Sequence, residues 1–194
     1  MARKADVERV TKETSIHVSW ELDGTGEYSI STGISFFDHM LDLFSKHGLF
    51  DLTVTAKGDI NVDNHHTIED LGIAMGRALR DAIGGMEGIK RYGSATVPMD
   101  EALCTSAIDI SGRPAFVFKG KMQGRTGDFD VDVVKEFLQA FSNEAKIALH
   151  INLLYGSNLH HKVEAVFKSF ARALRVAVEK DERIRGILST KGVL

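Results

Sequence analysis

A His-His-x-x-Glu sequence that occurs twice constrains the fold of this chain more than any other feature. The first copy begins at His65 and the second at His160, 95 residues later. In both copies an Arg-Ala-Leu-Arg segment begins 12 residues after the first histidine, at Arg77 and at Arg172. Because each copy leads into the same pattern of apolar and basic residues, the sequence indicates a duplicated half-domain.

The spacing of apolar residues predicts the same order of elements in both halves, which we place at residues 1–92 and 93–194 of one structural unit. The order of strands and helices favours an α+β fold with two similar small sheets, each covered on one face by helices. Strands are predicted over residues 7–20, 27–32, 50–56, 94–99, 103–110, 114–120 and 147–155, and helices over residues 36–46, 68–83, 131–146 and 162–180.

Charge and cysteine content exclude several classes of protein. The net charge of −3 gives no reason to expect binding to nucleic acid or to a membrane. The single cysteine, Cys104, excludes an intrachain disulfide, is typical of a reducing compartment, and is interpreted as a small buried strand residue. The first residues have no apolar signal core, and no run approaches the about 18 apolar residues of a membrane span. We therefore expect a cytoplasmic protein.

Each His-His-x-x-Glu motif contains two ligands that can bind one metal ion together. Residues four apart share a face of a helix, whereas neighbouring residues point about 100° apart. His65 and Glu69 can therefore bind one ion, while His66 must point elsewhere. The same geometry holds for the second copy.

The relation between the two halves suggests a reciprocal exchange of the remaining histidines. His39 and His150 lie upstream of the two motifs, and one of them can complete each site. In this scheme one ion is bound by His65, Glu69 and His161, and the other by His160, Glu164 and His66. Three imidazoles and one carboxylate leave open positions at each ion, as a catalytic metal requires. Such ligands suit Mn, Fe, Co or catalytic Zn better than structural zinc, which favours cysteine.

Seven segments form a recognisable set that extends over essentially the whole chain. They are RVTKETSI (9–16), FFDHML (36–41), DNHHTIED (63–70), RYG with VPMDEA (91–102), DISGRP (109–114), HHKVEAVFKSFARALR (160–175) and STKG (189–192). This set resembles the imidazoleglycerol-phosphate dehydratase family.

The resemblance implies a hydro-lyase that dehydrates D-erythro-imidazoleglycerol phosphate to imidazole-acetol phosphate in histidine biosynthesis. It implies two Mn²⁺ ions per active site, metal sites at subunit interfaces, and a hollow shell of 24 subunits built from trimers. One ion would be bound by His39, His66, His160 and Glu164, and the other by His65, Glu69, His150 and His161. A metal at each ring nitrogen would hold the substrate as imidazolate, because positive charge offsets the developing anion.

The resemblance also implies which side chains contact the substrate. Glu13 corresponds to the carboxylate that contacts substrate in the family, and we expect it to be the general acid and base. Glu69 and Glu164 are also predicted catalytic residues, but as metal ligands they suit a base less well. The expected substrate contacts are Glu13, His39, His65, Arg91, Arg113, His160, Lys168, Ser189 and Lys191. His47, eight residues after His39, is a further candidate for the substrate pocket, with a structural role as the alternative. Among the expected contacts, the phosphate would be bound by Arg91, Arg113, Lys168, Ser189 and Lys191, because arginine and lysine suit that anion.

Two other functions are compatible with paired metals. A dimetal phosphate-ester hydrolase would use a carboxylate-rich, bridged ligand set with metals about 4 Å apart, whereas this chain offers mostly histidine. A metal-storage or structural shell would account for metal sites at interfaces. It would leave Glu13, Arg91, Arg113 and the STKG segment without a role.

Overall fold

Both halves of the chain fold into the same order of strands and helices in the computed structural model, which describes residues 3–192. The first half contains β1 (Lys4–Val10), β2 (Thr14–Glu21), β3 (Tyr28–Ser31), α1 (Ser35–Gly48), β4 (Asp51–Gly58) and α2 (His65–Ile83). The second half contains β5 (Tyr92–Met99), β6 (Ala102–Asp109), β7 (Ala115–Lys119), β8 (Arg125–Thr126), β9 (Phe129–Asp130), α3 (Val133–Ala145), β10 (Ala148–Tyr155) and α4 (Leu159–Val178).

The two four-stranded sheets have equivalent topologies. The first has the strand order β1-β2-β4-β3 and the second has β5-β6-β10-β7. In each sheet the last strand pairs in parallel with its neighbour, and the other pairs are antiparallel. The short β8-β9 hairpin is an insertion in the second half. This arrangement confirms the predicted α+β fold with an internal duplication.

The strand predicted over residues 7–20 is wrong in one respect, because the chain reverses direction in its middle. β1 and β2 form an antiparallel hairpin, with a turn between Val10 and Thr14. The hydroxyl of Thr11 accepts hydrogen bonds from the backbone N–H groups of Glu13 and Thr14, which stabilises the turn. Alternation of apolar residues continues on both sides of this turn and therefore did not reveal it. As a result, Glu13 lies at the tip of a hairpin.

The helices lie in two layers between the sheets. α1 and α2 pack on the first sheet, α3 and α4 on the second, and the layers meet where α1 contacts α4 and α2 contacts α3. Gly72 and Gly76 allow α2 and α3 to approach closely. A Cβ on either glycine would lie 2.5 Å from a carbonyl oxygen of α3, that of Phe137 or that of Phe141. The contact between α1 and α4 is the one that positions the candidate site.

Within residues 3–192, none of the helices combines the length and the apolar character that crossing a membrane would require.

Candidate metal centre

Three predicted ligands converge where α1 packs against α4. His39 extends from α1, and His160 and Glu164 lie one turn apart at the start of α4. Nε2 of His160 lies 2.9 Å from Oε1 of Glu164, and Nε2 of His39 lies 3.5 Å from the same oxygen. One ligand atom from each of the three residues lies within 4.8 Å of the other two. In the described part of the chain this is the one group of three or more His, Cys, Asp or Glu side chains with that spacing.

Glu164 is a buried carboxylate held in its anionic form. Its side chain is 8% exposed, and Lys168 donates a hydrogen bond of 2.5 Å to its Oε2. Burial acts to raise the pKa of Glu164, but the hydrogen bond and charge of Lys168, with hydrogen bonds from His160 and His39, outweigh it and lower the pKa. Because Lys168 binds one oxygen, the other is directed at the two histidines.

The first copy of the motif has the predicted pairing of its own histidine and glutamate. Nε2 of His65 lies 3.4 Å from Oε2 of Glu69 on the first turns of α2, and both side chains are about half-exposed. His150 lies apart from this pair. It is exposed on β10 between the buried residues Leu149 and Ile151, so it faces away from the helices. Within the described residues of one chain, the second predicted ligand set therefore has His65 and Glu69 close together, and His150 lies apart from them.

The second histidine of each motif contacts a carboxylate from a loop. Nδ1 of His66 lies 3.0 Å from Asp59, and Nδ1 of His161 lies 2.7 Å from Glu101. The hydrogen bond to Asp59 raises the pKa of His66. In the same way, the hydrogen bond to Glu101 raises the pKa of His161. Within residues 3–192 of a single chain, neither histidine joins the His-and-Glu pair of the opposite motif.

The predicted acid-base residue lies beside His66. Glu13 is 56% exposed at the tip of the β1–β2 hairpin, and its Oε2 lies 3.8 Å from Nδ1 of His66. His47 is half-buried on α1. Its pKa is lowered by burial and, next, by the positive charges of Lys168 and Arg172.

Four of the five predicted phosphate ligands line one cavity of about 640 Å³ at the end of the second sheet. They are Arg91, Arg113, Ser189 and Lys191. The guanidinium of Arg91 already donates hydrogen bonds to Asp109, at 2.7 and 3.1 Å, and to the carbonyl of Leu188, at 2.8 Å. The fifth predicted ligand, Lys168, lies instead at Glu164. The cavity also includes Arg183 and Arg185, which were not predicted.

Residues 32–174 match the family model described as imidazoleglycerol-phosphate dehydratase. In an alignment of 195 positions, the chain is 56% identical to the imidazoleglycerol-phosphate dehydratase of Geobacter sulfurreducens, and the match covers 100% of both proteins. The chain belongs to the imidazoleglycerol-phosphate dehydratase family.

Solved structures that carry the family name have the same fold. A crystal structure of imidazoleglycerol-phosphate dehydratase from Staphylococcus aureus has a TM-score of 0.83 and 36% identity, and the match covers 92% of this chain and 99% of that one. For the Pyrococcus furiosus protein the TM-score is 0.85 at 38% identity, with 97% and 100% covered. Membership confirms the resemblance drawn from the sequence motifs and makes the chain an enzyme of the hydro-lyase class.

Several carboxylates of the candidate site were not predicted from the sequence. Asp59 and Glu101 contact the second histidines of the two motifs. Asp109 accepts a hydrogen bond from Arg91, and Asp70 accepts one from the hydroxyl of Thr14 at the start of β2. Asp70, Glu101 and Asp109 lie inside segments that resemble the family, but their partners are distant along the chain. Only the tertiary structure identifies these contacts.

Proposed function

We propose that this protein dehydrates D-erythro-imidazoleglycerol phosphate to imidazole-acetol phosphate, with two Mn²⁺ ions in each active site. The observation that carries the metal part of the proposal is the convergence of His39, His160 and the anionic Glu164 at the contact between α1 and α4. Two imidazoles and a carboxylate suit Mn²⁺ and related ions, so the residues present fit the group. When bound, the cations would supply positive charge that favours the anionic form of the substrate ring.

The ligand pairs on one chain are incomplete, so we also propose that a neighbouring subunit completes each site. His65 with Glu69, His66, His150 and His161 would then bind metal across contacts between copies of the chain, within a 24-subunit shell. Three observations support this assignment. His65 and Glu69 are more than two-fifths exposed, His150 is exposed on the outer face of its sheet, and Glu13 projects from a hairpin tip.

The proton transfers are assigned to Glu13. Its carboxylate is more than half exposed and lies 3.8 Å from Nδ1 of His66, so it is accessible to a substrate bound beside that histidine. The carbon beside the ring would lose its hydroxyl as water, with a proton supplied by Glu13. Glu13 would then remove the proton from the next carbon and return it to the carbon beside the ring as the enol becomes the ketone. Glu164 is less suited, because Lys168 and two histidines already occupy its oxygens.

Phosphate binding is assigned to the cavity at the end of the second sheet. Arg113 and Lys191 would provide positive charge, and Ser189 a hydroxyl donor, while Arg91 orders the segment before Ser189 through the carbonyl of Leu188. Binding energy from the phosphate group would then help to hold the reacting carbons near Glu13.

A turnover assay tests the proposal. Metal-stripped protein would be mixed with imidazoleglycerol phosphate with and without Mn²⁺, and the ketone product followed. We expect product only with Mn²⁺. Absence of product, from protein that holds two metal ions per chain, would reject the proposal, and release of inorganic phosphate from the same substrate would favour a phosphate-ester hydrolase.

Replacement of the acid-base residue separates an enzyme from a metal-storing shell. In Glu13→Gln we expect kcat to fall about 10²- to 10⁴-fold, with metal content and particle size unchanged. Glu8→Gln is the matched control, because Glu8 is an exposed carboxylate on the same hairpin. Equal turnover by the two variants would remove Glu13 from the mechanism.

A further inference from the structure

The turn between β5 and β6 lies against the start of α4, and Glu101 makes the contact. Oε2 of Glu101 lies 2.7 Å from Nδ1 of His161. Its Oε1 accepts hydrogen bonds from the backbone N–H groups of Ser157, at 3.0 Å, and Asn158, at 2.7 Å, and from the Ser157 hydroxyl, at 3.1 Å. Three donors that do not involve His161 therefore fix the orientation of this carboxylate.

The contact determines which nitrogen of His161 carries the proton. An ionised carboxylate is only an acceptor, so Nδ1 of His161 must donate to it. In a neutral imidazole the other nitrogen, Nε2, then has the free lone pair that a metal needs. The backbone is fixed as well, because the side chain of Asn158 accepts hydrogen bonds from the N–H groups of His160 and His161.

The first half has the same arrangement, built from a different loop. Asp59 follows β4 and lies 3.0 Å from Nδ1 of His66, whereas Glu101 precedes β6. In both motifs the first histidine instead directs Nε2 at the glutamate of its own helix. The carboxylates at hydrogen-bonding distance thus come from non-equivalent loops. The β1–β2 turn, which is the counterpart of the turn that carries Glu101, places Glu13 at the longer distance of 3.8 Å from Nδ1 of His66.

We propose that Glu101 and Asp59 are positioning residues that fix the tautomer and ring orientation of His161 and His66, so that each presents Nε2 to a metal ion. The inference rests on the proposed function, since it assigns these histidines as ligands. Carboxylates that hold a metal-binding histidine in this way usually contribute about 10- to 100-fold to metal affinity.

Glu101→Gln tests the role at constant side-chain size. The amide oxygen can still accept from Ser157 and Asn158, which directs the amide N–H₂ group at His161. That donor requires a lone pair on Nδ1, so the proton moves to Nε2 and blocks metal binding there. We expect Mn²⁺ affinity, measured by calorimetry on metal-stripped protein, to fall about 10- to 100-fold at one site.

A spectroscopic readout separates positioning from a merely structural role. Solid-state ¹⁵N NMR of metal-free protein labelled at histidine reports which ring nitrogen is protonated. In Glu101→Gln one histidine should change from the Nδ1–H to the Nε2–H form, and Glu101→Asp, which keeps the acceptor, should retain Nδ1–H. Glu179→Gln is the control, because it removes a carboxylate that pairs with Lys90 at 3.0 Å, away from the histidines.

The outcomes are distinct. A changed tautomer together with weaker Mn²⁺ binding supports the inference. An unchanged tautomer in Glu101→Gln overturns it, whether or not Mn²⁺ affinity falls, because any loss of affinity would then come from altered packing. Failure of the proposed function would be seen separately, as wild-type protein that binds Mn²⁺ tightly but forms no ketone.

Discussion

Lys168 lies one helical turn after Glu164 and donates a hydrogen bond of 2.5 Å to the Oε2 of that carboxylate. The two side chains are only 13% and 8% exposed, so this is a buried ion pair at the candidate metal centre. The pairing keeps Glu164 anionic and leaves Oε1 for His39 and His160. Lys168 thereby keeps the carboxylate charged and oriented so that Oε1 can bind a cation together with the two histidines.

Replacing Lys168 with methionine should destabilise the metal-free protein. The change keeps an unbranched side chain but leaves Glu164 buried without its cation, which costs about 3 kcal/mol in the free energy of unfolding. Urea unfolding at equal protein concentration measures the effect. Lys135→Met, which removes a more exposed pair with Asp132, should change stability by less than about 1 kcal/mol. Equal losses in the two variants would contradict the prediction.

The reciprocal ligand scheme predicts how histidine variants lose metal. His65→Ala combined with His161→Ala should remove one ion and retain about half of the bound Mn²⁺, because both residues serve the same site. His65→Ala combined with His66→Ala should impair both sites. Metal analysis of the purified proteins distinguishes the combinations. Half occupancy in the second variant, with complete loss in the first, would show that each motif binds its own ion.

The contact of Arg91 with the segment before Ser189 predicts an effect on substrate binding. Arg91→Ala removes the bonds to Asp109 and to the Leu188 carbonyl, so the cavity should lose its shape. We expect KM for imidazoleglycerol phosphate to rise about tenfold or more, since hydrogen bonds to a charged group contribute about 1.5–3 kcal/mol each. Lys90→Ala, at the neighbouring position, is the control.

Removing residues 189–194 tests phosphate binding by the same cavity, because it deletes residues that line it. The truncation deletes Ser189 and Lys191 but keeps the Leu188 carbonyl for Arg91. It should raise KM at least as much as Arg91→Ala, because it removes two of the proposed phosphate ligands. Steady-state kinetics that give wild-type KM and kcat would remove this segment from the site.

Asp70 links the helix of the first metal motif to the hairpin that carries Glu13. Its carboxylate accepts hydrogen bonds from the Thr14 hydroxyl and from Arg9, the latter at 2.7 Å. Asp70→Asn should therefore lower kcat about tenfold by misplacing Glu13, without loss of Mn²⁺. Asp81→Asn, an exposed carboxylate on the same helix, is the control. If kcat and its pH profile match those of the control, the link does not position Glu13.

The hydrogen bonds of Asp51 predict how the free energy of unfolding depends on pH. Its Oδ1 accepts backbone N–H groups of Thr25, Gly26 and Glu27 at 2.8, 3.0 and 2.9 Å, and these bonds, with Glu27 contributing most, lower its pKa below the ordinary value of 3.8. A lowered carboxyl pKa stabilises the fold fully above that ordinary value, and the stabilisation is lost as pH falls through the folded pKa.

Asp51→Asn should therefore be less stable than wild type near neutral pH, by about 1–2 kcal/mol, and the difference should shrink in acid. Urea midpoints from about pH 7 down to about pH 3 measure it. A difference that stays constant over this range would mean that the carboxylate charge is not the cause. Asp128→Asn, an exposed position, is the control.

Local sequence patterns predicted most of the fold and the contacts between side chains that are four residues apart. Within residues 3–192 each helix was placed and six of the ten strands were predicted as separate strands, because apolar periodicity reflects which face packs on the core. The pairs His65–Glu69 and His160–Glu164 followed from helix geometry alone. The β1–β2 turn was missed because it depends on the Thr11 side chain, and the β8–β9 hairpin because its strands have only two residues each.

The amino-acid sequence by itself determined the duplication, the α+β class, the family and which histidines and glutamates are candidate metal ligands. These properties are encoded by residue type at short, regular spacing, where backbone geometry sets which side chains share a face. Only the tertiary structure decided that Asp59 and Glu101 hold the second histidine of each motif, and that Arg91 joins Asp109 to Leu188. Such contacts join segments far apart in the chain, and their geometry depends on how the two sheet-and-helix layers pack together.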